Sequence, residues 1–258
     1  MKRGSAQILH WLVPMAALAA WEITARFGIL PPYLSAPSLV LLALWETIRD
    51  GELVQALAPS VFRVALGFAI GTVTGIIGGL GAGLVPGLRN FFDPLVSLLY
   101  SVPKVAFLPV FLLLFGIGDV AKIAIIAFSG FFPVFVASRH AVASIDPHLV
   151  WIAKNMGAPP RAVFFRVIIP AAAPELFAGV RIGLAHAFVL LFAAELIGGS
   201  SGIGTLINAG EEWGRFDLML AGVVCFALLG FGSDRILLLI RRRVLKGHLI
   251  GTQEQVLP

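Results

Sequence analysis

The chain has few of the residues on which soluble and disulfide-bonded proteins depend. Only 13% of its 258 residues are charged and 59% are hydrophobic, whereas a typical soluble domain has about 25% charged residues. Its single cysteine, Cys225, cannot form a disulfide within the chain or build a cysteine-based metal site. The composition therefore excludes an ordinary soluble domain and indicates that lipid surrounds most of the chain.

Motifs for nucleotide binding and for catalysis are also missing from the sequence. It has neither a GxxxxGK[ST] phosphate loop nor an HExxH metal motif. Residues 198–202 match the letters G-x-S-x-G of a nucleophile elbow, but an apolar run precedes them instead of a strand, and we interpret residues 198–213 as a flexible outer loop. We expect no catalytic residues, metal or cofactor in this chain.

The net charge of +5 does not indicate a nucleic-acid partner. The basic residues stand in small groups between apolar runs and form no continuous patch with interleaved aromatic residues. A membrane explains this distribution better, so we expect no nucleic acid among the partners.

Six apolar runs are long enough to cross a bilayer, which takes about 20 residues in a helix. They cover residues 8–27, 60–85, 94–115, 120–141, 174–197 and 218–240. The sequence therefore predicts an all-α, polytopic membrane protein with one transmembrane domain over residues 1–258. Between the first two runs, residues 28–59 predict an extended segment followed by a short surface helix.

The distribution of lysine and arginine predicts the orientation. With the N-terminus in the cytoplasm, only Arg26, Arg49 and Arg215 fall clearly outside. Eleven of the 19 basic residues fall inside: Lys2, Arg3, Arg89, Arg139, Lys154, Arg161, Arg166, Arg241, Arg242, Arg243 and Lys246. The positive-inside rule therefore predicts that both termini and the loop at about 142–173 are cytoplasmic.

Glycine recurs at every fourth position of the second apolar run, at residues 67, 71, 75, 79 and 83. Small residues at this spacing let another helix backbone approach closely, and in lipid such packing is a main source of helix association. We predict that this stripe is a helix-packing face.

Two ionisable residues lie deep within apolar runs. Lys104 stands between Pro103 and Pro109 in the third run, and His186 lies in the fifth. In continuous helices both would lie about 16–18 Å deep, near the midplane. Such groups usually face a bundle interior or a wet cavity. We therefore consider Lys104, His186 and the neighbouring Ser101 as candidates for a solute pathway, with a purely structural role for the charged groups left open.

Arg63 and Glu195 are candidates for a structural or gating role near the outer end of the helices. Glu195 ends the fifth apolar run, and Arg63 lies at similar depth in the second. The carboxylate of Glu195 either accepts hydrogen bonds from backbone amides of the outer loop or pairs with a base such as Arg63. A proton relay is less favoured because the chain has few other buried carboxylates.

The predicted cytoplasmic loop has a defined shape. Asp146 and Pro147 predict a helix start, and apolar residues follow at spacings of three or four until Gly157 ends the helix. Beyond a Pro-Pro pair, Arg161 and Phe165 belong to a second amphipathic stretch. Such a segment either lies on anionic lipid or docks in the groove of a partner.

These residues resemble the inner-membrane permease subunits of binding-protein-dependent ABC importers. The cytoplasmic loop of that family has the pattern E-A-A-x-x-x-G, then a basic turn, Phe, Val and Pro, which Ala153, Gly157, Phe165, Val167 and Pro170 match. LSAPS at 34–38, VPKVAFLPVFLLLFGIG at 102–118, PELFAGVRIGL at 174–184 and AELIGGSSGIG at 194–204 resemble the branch for aliphatic sulfonates, taurine and nitrate. Trp151 stands where the family usually has Glu.

The resemblance implies a bacterial inner-membrane complex of two permease subunits, two cytoplasmic ATPases and a periplasmic solute-binding protein. We expect the two permease subunits to be copies of this chain, forming a homodimer. ATP and magnesium would bind to the ATPases. The residues that the resemblance assigns to ATPase coupling are Val150, Trp151, Ala153, Lys154, Met156, Gly157, Ala158, Arg161 and Phe165. The solute would be small and anionic, such as a sulfonate, taurine, nitrate or bicarbonate.

Two other classes of protein are weighed against this one. An ion-coupled secondary transporter often has matching broken helices in its two halves, and VPKVAFLP has no such counterpart here. An intramembrane enzyme needs a clustered nucleophile, base or metal ligands, and the sequence offers no such constellation.

Overall fold

The computed structural model describes residues 2–199 and 201–245, and the side chains from residue 12 onward within those ranges. Every regular element in these ranges is helical, as the all-α prediction requires. The α-helices are α1 Lys2–Arg26, α2 Pro37–Arg49, α3 Glu52–Leu84, α4 Pro86–Ser101, α5 Leu108–Phe115, α6 Asp119–Ala143, α7 Pro147–Asn155, α8 Pro160–Val163, α9 Ile169–Gly198, α10 Ile203–Glu212 and α11 Phe216–Val244. A 3₁₀ turn, Lys104–Phe107, precedes α5, and a π-helical turn, Phe164–Ile168, precedes α9.

The chain packs as two compact units whose boundaries fall inside three helices. One unit holds the residues up to Ser60 together with Glu195–Leu228, and the other holds Val61–Ala194 together with the residues from Leu229 onward. In the first unit, α2 packs through Val40 and Ala43 against Ala221 of α11. In the second, an aromatic and aliphatic core forms around α6.

In the described part of the chain, four helical segments are long and apolar enough to cross a membrane: Glu52–Leu84, Asp119–Ala143, Pro160–Gly198 and Phe216–Val244. Counting the bent pair that contains α4 and α5 as one broken span gives five. These segments overlap the second to sixth predicted spans. A membrane crossing by α1, a helix of 25 residues, stays a prediction.

The third predicted helix, 94–115, is broken completely, although its prolines predict only a bend. Helix α4 begins eight residues earlier, at Pro86, and ends at Ser101, and the next helical segment leaves at an angle of 96°. The cause is Pro103, which disfavours helical backbone in the residue before it. Val102 is accordingly extended, with φ −82° and ψ 134°. The depth calculated for Lys104 along a continuous helix therefore does not hold.

The fifth helix begins much earlier than the predicted residue 174. The chain is helical from Pro160 to Gly198 through the π turn, so the two prolines at 170 and 174 do not end it. In a regular α-helix the ring of Pro170 would press on the carbonyl of Arg166 four residues earlier. The wider π turn lies immediately before Pro170 and accommodates its ring, and the Ile169 amide donates to Phe164 O.

The glycine stripe of α3 is a packing face, as predicted, and it contacts α6. A methyl group at Gly71 would collide with the carbonyl of Ala127, and one at Gly79 would collide with the carbonyl of Phe135. At the other stripe positions, an added Cβ at Gly67, Gly75 or Gly83 would lie 2.7, 2.9 or 2.7 Å from Ile126, Val134 or Val142, respectively. The two helix backbones therefore lie in direct contact along about four turns.

The outer connection 198–213 is not the flexible loop that we expected. It contains α10, whose Ile203, Gly204, Ile207 and Gly210 are buried. These apolar residues repeat at helical spacing, which gives the segment a packed face and stabilises it as a helix. The serine of the G-x-S-x-G letters, residue 200, and the histidine at 248 lie outside the described residues.

Candidate functional site

Lys104 lies at the sharp bend between α4 and α5 and is 8% exposed. Its ammonium group donates a hydrogen bond to the carbonyl of Tyr100. It also lies 4.7 Å from the Tyr100 ring centroid and 5.2 Å from the Phe132 centroid, where the ring faces attract a cation. Within residues 2–199 and 201–245, no acid forms an ion pair with Lys104.

The bend is held open by aromatic packing against α6. Phe107 and Phe111, on the segment after the break, contact Phe128, and Phe128 stacks edge-on against Phe132 at 4.9 Å. Rings in such edge-to-face contacts hold defined positions. The aromatic wall therefore fixes the ring of Phe132 beside the Lys104 ammonium.

Two of the three candidate pathway residues, Lys104 and His186, lie within electrostatic range of each other. His186 is partly exposed in the middle of α9. The backbone carbonyl of His186 accepts a hydrogen bond of 3.4 Å from Ser129 Oγ of α6. Ser101 is exposed and donates to the carbonyl of Ser97 in its own helix.

Glu195 is completely buried and anchors the start of α10. Ser60 Oγ lies 2.8 Å from Glu195 Oε1 and donates to the carboxylate, and the Gly204 amide donates to Oε2 at 3.1 Å. The hydroxyl oxygen of Ser60 in turn accepts from the Ile203 amide at 2.9 Å. Two of the four amides that a helix start leaves unsatisfied thus find partners. The bond from the Gly204 amide is the kind of contact that the first of the two alternatives for Glu195 expects.

Gly202 is required beside that carboxylate. Its φ of +115° lies in a region that side chains rarely adopt, and a Cβ there would collide with the Glu195 carboxylate. The tight turn brings the start of α10 over Glu195.

Arg63 is 1% exposed and binds Asp119, the first residue of α6. Its Nε lies 2.7 Å and its Nη2 lies 2.6 Å from Asp119 Oδ1. An acid in the first turn also interacts favourably with the positive end of the helix dipole. The pair therefore joins α3 to the start of α6.

Some site residues escaped the sequence analysis. Asp119 and Ser60 gave no signal, because acids at helix starts and single serines in helices are common. Lys122 of α6 is 1% exposed. It could have been identified from the sequence, because a charged residue inside an apolar run is costly and usually has a role.

The segment 146–165 forms the surface expected from its pattern. Asp146 caps α7 by accepting a hydrogen bond of 2.9 Å from the His148 amide. Gly157 then reverses the chain with φ +78°, and its amide donates to Lys154 O. The helix boundaries agree with the predicted start at Pro147 and the turn at Gly157.

The proposed coupling residues of this segment point in two directions. Three large apolar side chains face outward: Trp151 is 62% exposed, Met156 83% and Phe165 66%. Gly157, Lys154 and Arg161 are also exposed, whereas Val150, Ala153 and Ala158 are half-buried. We call the outward-facing set Trp151, Met156 and Phe165 the α7 surface.

Behind the α7 surface lies an apolar cavity of about 380 Å³. Val150 and Lys154 of α7 face it, opposite Phe164 of the π turn and the ends of α3 and α6 at Leu84 and Val142. The short helix therefore rests on the helix ends with open space beneath it.

No three histidine, cysteine, aspartate or glutamate side chains in the described ranges are grouped as metal ligands. A buried cation at a broken helix is a feature of membrane transport proteins, and the exposed apolar surface on a short connecting helix is a candidate interface for another protein.

A protein-family comparison assigns the class. The model for the inner membrane component of binding-protein-dependent transport systems matches residues 71–246. The chain belongs to this family and is a permease subunit of an ABC importer. Membership in a binding-protein-dependent family removes the ion-coupled secondary transporter as an alternative.

The chain is also similar in sequence to several named permeases. It is 33% identical over 236 residues to a putative aliphatic sulfonates transport permease of Bacillus subtilis, covering 91% of this chain and 86% of the relative. It is 33% identical over 237 residues to the taurine transport system permease of Escherichia coli, covering 90% and 86%. A nitrate import permease of Synechococcus elongatus is 28% identical over 189 residues, covering 72% and 67%.

Solved structures support the fold. An amino acid ABC transporter aligns with a TM-score of 0.61 at 16% identity, covering 78% of this chain and 98% of that one. An inward-facing methionine ABC transporter aligns with a TM-score of 0.53 at 20% identity, covering 81% and 95%.

Proposed function

We propose that this permease carries a small anion through a pathway beside Lys104 and is driven by a separate ATPase that docks on the α7 surface. The observation that carries the anion assignment is the burial of Lys104 with no ion-pairing acid in the described part of the chain. A buried ammonium is costly unless a counter-charge or hydrogen-bond acceptors compensate it. The Tyr100 carbonyl and the faces of the Tyr100 and Phe132 rings compensate the Lys104 ammonium in part. An anion in the pathway would supply the missing counter-charge.

The chemistry of the relatives' solutes agrees with this assignment. The relatives are named for aliphatic sulfonates, taurine and nitrate, and each of these solutes carries a negatively charged group of oxygen atoms. An oxyanion accepts hydrogen bonds from an ammonium, and such charge-assisted bonds are about twice as strong as neutral ones. The partly exposed His186 would supply a further donor on the same side.

The ATPase would dock on the α7 surface. Trp151, Met156 and Phe165 expose large apolar side chains on a segment that also carries Lys154 and Arg161. Aromatic and methionine side chains are enriched at protein interfaces. Trp151 would supply apolar contact where the family usually has a charged Glu. The chain carries no phosphate-binding motif, so ATP and magnesium would bind to the partner.

The complete importer would contain two permease subunits, two ATPases and a periplasmic binding protein. Both termini and the α7 surface would face the cytoplasm of a bacterial cell, and α10 would face the binding protein. The basic residues support this orientation, because most of them collect at the proposed cytoplasmic ends of the helices.

The anion pathway is tested with the importer reconstituted in liposomes together with its ATPase and binding protein. ATP hydrolysis is measured with increasing taurine, ethanesulfonate or nitrate, comparing wild type with Lys104→Ala and Lys104→Arg. Loss of a hydrogen bond to a charged group, about 1.5–3 kcal/mol, predicts that Lys104→Ala reduces solute stimulation about tenfold or more. Lys104→Arg keeps the charge and should retain part of the stimulation.

Unchanged stimulation by all three solutes in Lys104→Ala would remove this residue from the pathway. Equal loss in the alanine and arginine variants would indicate a packing role at the bend and contradict the anion role.

ATPase docking is tested separately by co-purification in detergent. Trp151→Asp places a charge at the centre of the α7 surface. If Trp151 is a central interface residue, its loss costs about 2 kcal/mol or more, so recovery of the ATPase with tagged permease should fall strongly. The matched control is Trp213→Asp, since Trp213 is 68% exposed at the end of α10 and should leave recovery unchanged. Equal recovery with both variants would show that the ATPase binds elsewhere.

A further inference from the structure

A second site lies between α9 and α11, away from Lys104 and the α7 surface. Arg181 of α9 binds Asp234 of α11 through two hydrogen bonds, 2.6 Å from Nε to Oδ1 and 3.0 Å from Nη2 to Oδ2. This bidentate ion pair fixes the two helices next to each other, since it constrains direction as well as distance. Beside it is an opening of about 230 Å³, which we call the α9–α11 groove.

The walls of the groove are apolar. They are formed by Phe177, Ala178 and Ile182 of α9 and by Leu237 and Leu238 of α11. Sites for compact small molecules usually measure about 300–1,000 Å³ and include several polar groups for orientation. A smaller opening with hydrocarbon walls suits a slender apolar group such as an acyl chain.

The groove opens to the side of a membrane span. Of an 18-residue apolar stretch within Phe216–Val244, only 11% is buried within the chain. Next to the groove, Ile236 is 61% and Leu239 58% exposed. An apolar helix face of this kind is stable in contact with lipid, so lipid acyl chains have direct access to the groove.

Positive charge collects at one end of the groove. Arg241 lines it, and Arg242 and Arg243 follow in the last turn of α11. Arg181 is already neutralised by Asp234, whereas no acid within residues 2–199 and 201–245 forms an ion pair with Arg241. Arg241 is therefore the arginine whose charge is available to a ligand of the groove.

We propose that the α9–α11 groove binds one anionic phospholipid, with an acyl chain between the two helices and the phosphate at Arg241. Basic pockets between membrane helices on the cytoplasmic side have the chemistry for such headgroups. The apolar walls alone would accept any lipid, and Arg241 would make the site selective for negatively charged ones.

The experiment uses the full chain, purified in mild detergent, and native mass spectrometry of the protein with added lipid. The probes are phosphatidylglycerol and phosphatidylcholine with identical acyl chains. One phosphatidylglycerol should remain bound, and phosphatidylcholine should bind more weakly. Excess inorganic phosphate should not displace the lipid, because a free ion has no acyl chain for the groove.

Two pairs of variants separate a defined site from a general basic surface. Arg241→Ala should weaken phosphatidylglycerol about fivefold, since a basic residue near an anionic membrane surface contributes about 1 kcal/mol. Arg243→Ala removes the same charge from the same turn without lining the groove, and it should have little effect. Leu238→Trp fills the groove and should abolish retention of the lipid, whereas Leu239→Trp, on the exposed side of α11, should not.

Equal binding of the two lipids, or equal effects of Arg241→Ala and Arg243→Ala, would overturn the proposal, because the arginines would then act as an unspecific surface. Displacement by inorganic phosphate would indicate an ion site instead of a lipid site. A change from dimer to monomer in Leu238→Trp, with lipid retention unaltered, would show that a second copy of the chain occupies the groove. Arg241→Ala lies at an exposed helix end and tests the proposal even if the tryptophan variant does not fold.

Discussion

A single buried carboxylate organises the outer connection of this permease. Glu195 has 0% exposure and accepts hydrogen bonds from Ser60 Oγ and from the Gly204 amide. A buried charge is tolerated when its hydrogen-bonding capacity is satisfied, and removal of one donor leaves the remaining group at the full cost of desolvation. Ser60 is important because it also accepts from the Ile203 amide, so one hydroxyl connects α3, Glu195 and α10.

The role of that hydroxyl is tested by Ser60→Ala. The substitution removes a donor from a fully buried carboxylate, so we expect a loss of about 1–3 kcal/mol in the free energy of unfolding. Thermal unfolding of the detergent-purified protein measures it. Ser101→Ala is the matched control, because Ser101 is exposed and bonds only within its own helix. A Ser60 variant as stable as the control would contradict the anchoring role of Ser60.

At the residue scale, the sequence identifies charged groups in apolar runs but not their partners. Lys104 and Glu195 stand out because burial of a charge needs a reason. The Asp119 partner of Arg63 could not be found, because 56 residues separate the two in the chain and the pairing depends on how α3 and α6 pack. Distance along the chain therefore limits prediction of the site more than residue type does.

At the scale of elements, the contact between α3 and α6 depends on the absence of side chains. The glycine stripe permits backbone contact, and the closest positions leave no room for a methyl group. Such contact increases van der Waals packing, which associates helices in lipid without a hydrophobic driving force.

Gly79→Ala tests this contact. Its Cβ would press on the carbonyl of Phe135 and lie 2.6 Å from the Cβ of Ser138. Overpacking of this kind costs about 1–3 kcal/mol, so the thermal stability should fall. Gly87→Ala serves as the control, because nothing lies within 4 Å of the corresponding Cβ in α4. Comparable stability of the two variants would mean that α3 and α6 can separate without cost.

The helices differ in how far the sequence predicts them. The span 120–141 and the stripe of α3 follow from periodic patterns, and the structure agrees closely with both. The 96° bend at Pro103 was predicted only as a bend, because the effect of proline on the preceding residue allows either a kink or a complete break. Packing of Phe107 and Phe111 against Phe128 favours the break, and this long-range contact is not visible in the sequence.

At the scale of the whole molecule, function depends on orientation. An importer needs its ATPase-docking segment in the cytoplasm and its opposite face toward the binding protein. The segment around α7 carries Lys154, Arg161 and Arg166, and the end of α11 carries Arg241, Arg242 and Arg243, whereas Arg49 of α2 belongs to the predicted outer side, where few basic residues lie. From this asymmetry the positive-inside rule predicts that α7 and the end of α11 lie on the cytoplasmic side and that α2 lies on the outer side.

The single cysteine makes that arrangement measurable. Cys225 is buried, so Cys225→Ala provides a background without thiols, into which Arg49→Cys and His148→Cys are introduced separately at exposed positions. A membrane-impermeant maleimide added to intact spheroplasts should label residue 49 and leave residue 148 unlabelled, and both should react after permeabilisation. The opposite pattern would place α7 outside the cell, where no ATPase could reach it, and would overturn the proposed drive. Labelling of both positions in intact spheroplasts would mean that the chain crosses the membrane an even number of times between α2 and α7, contrary to the three predicted spans between them.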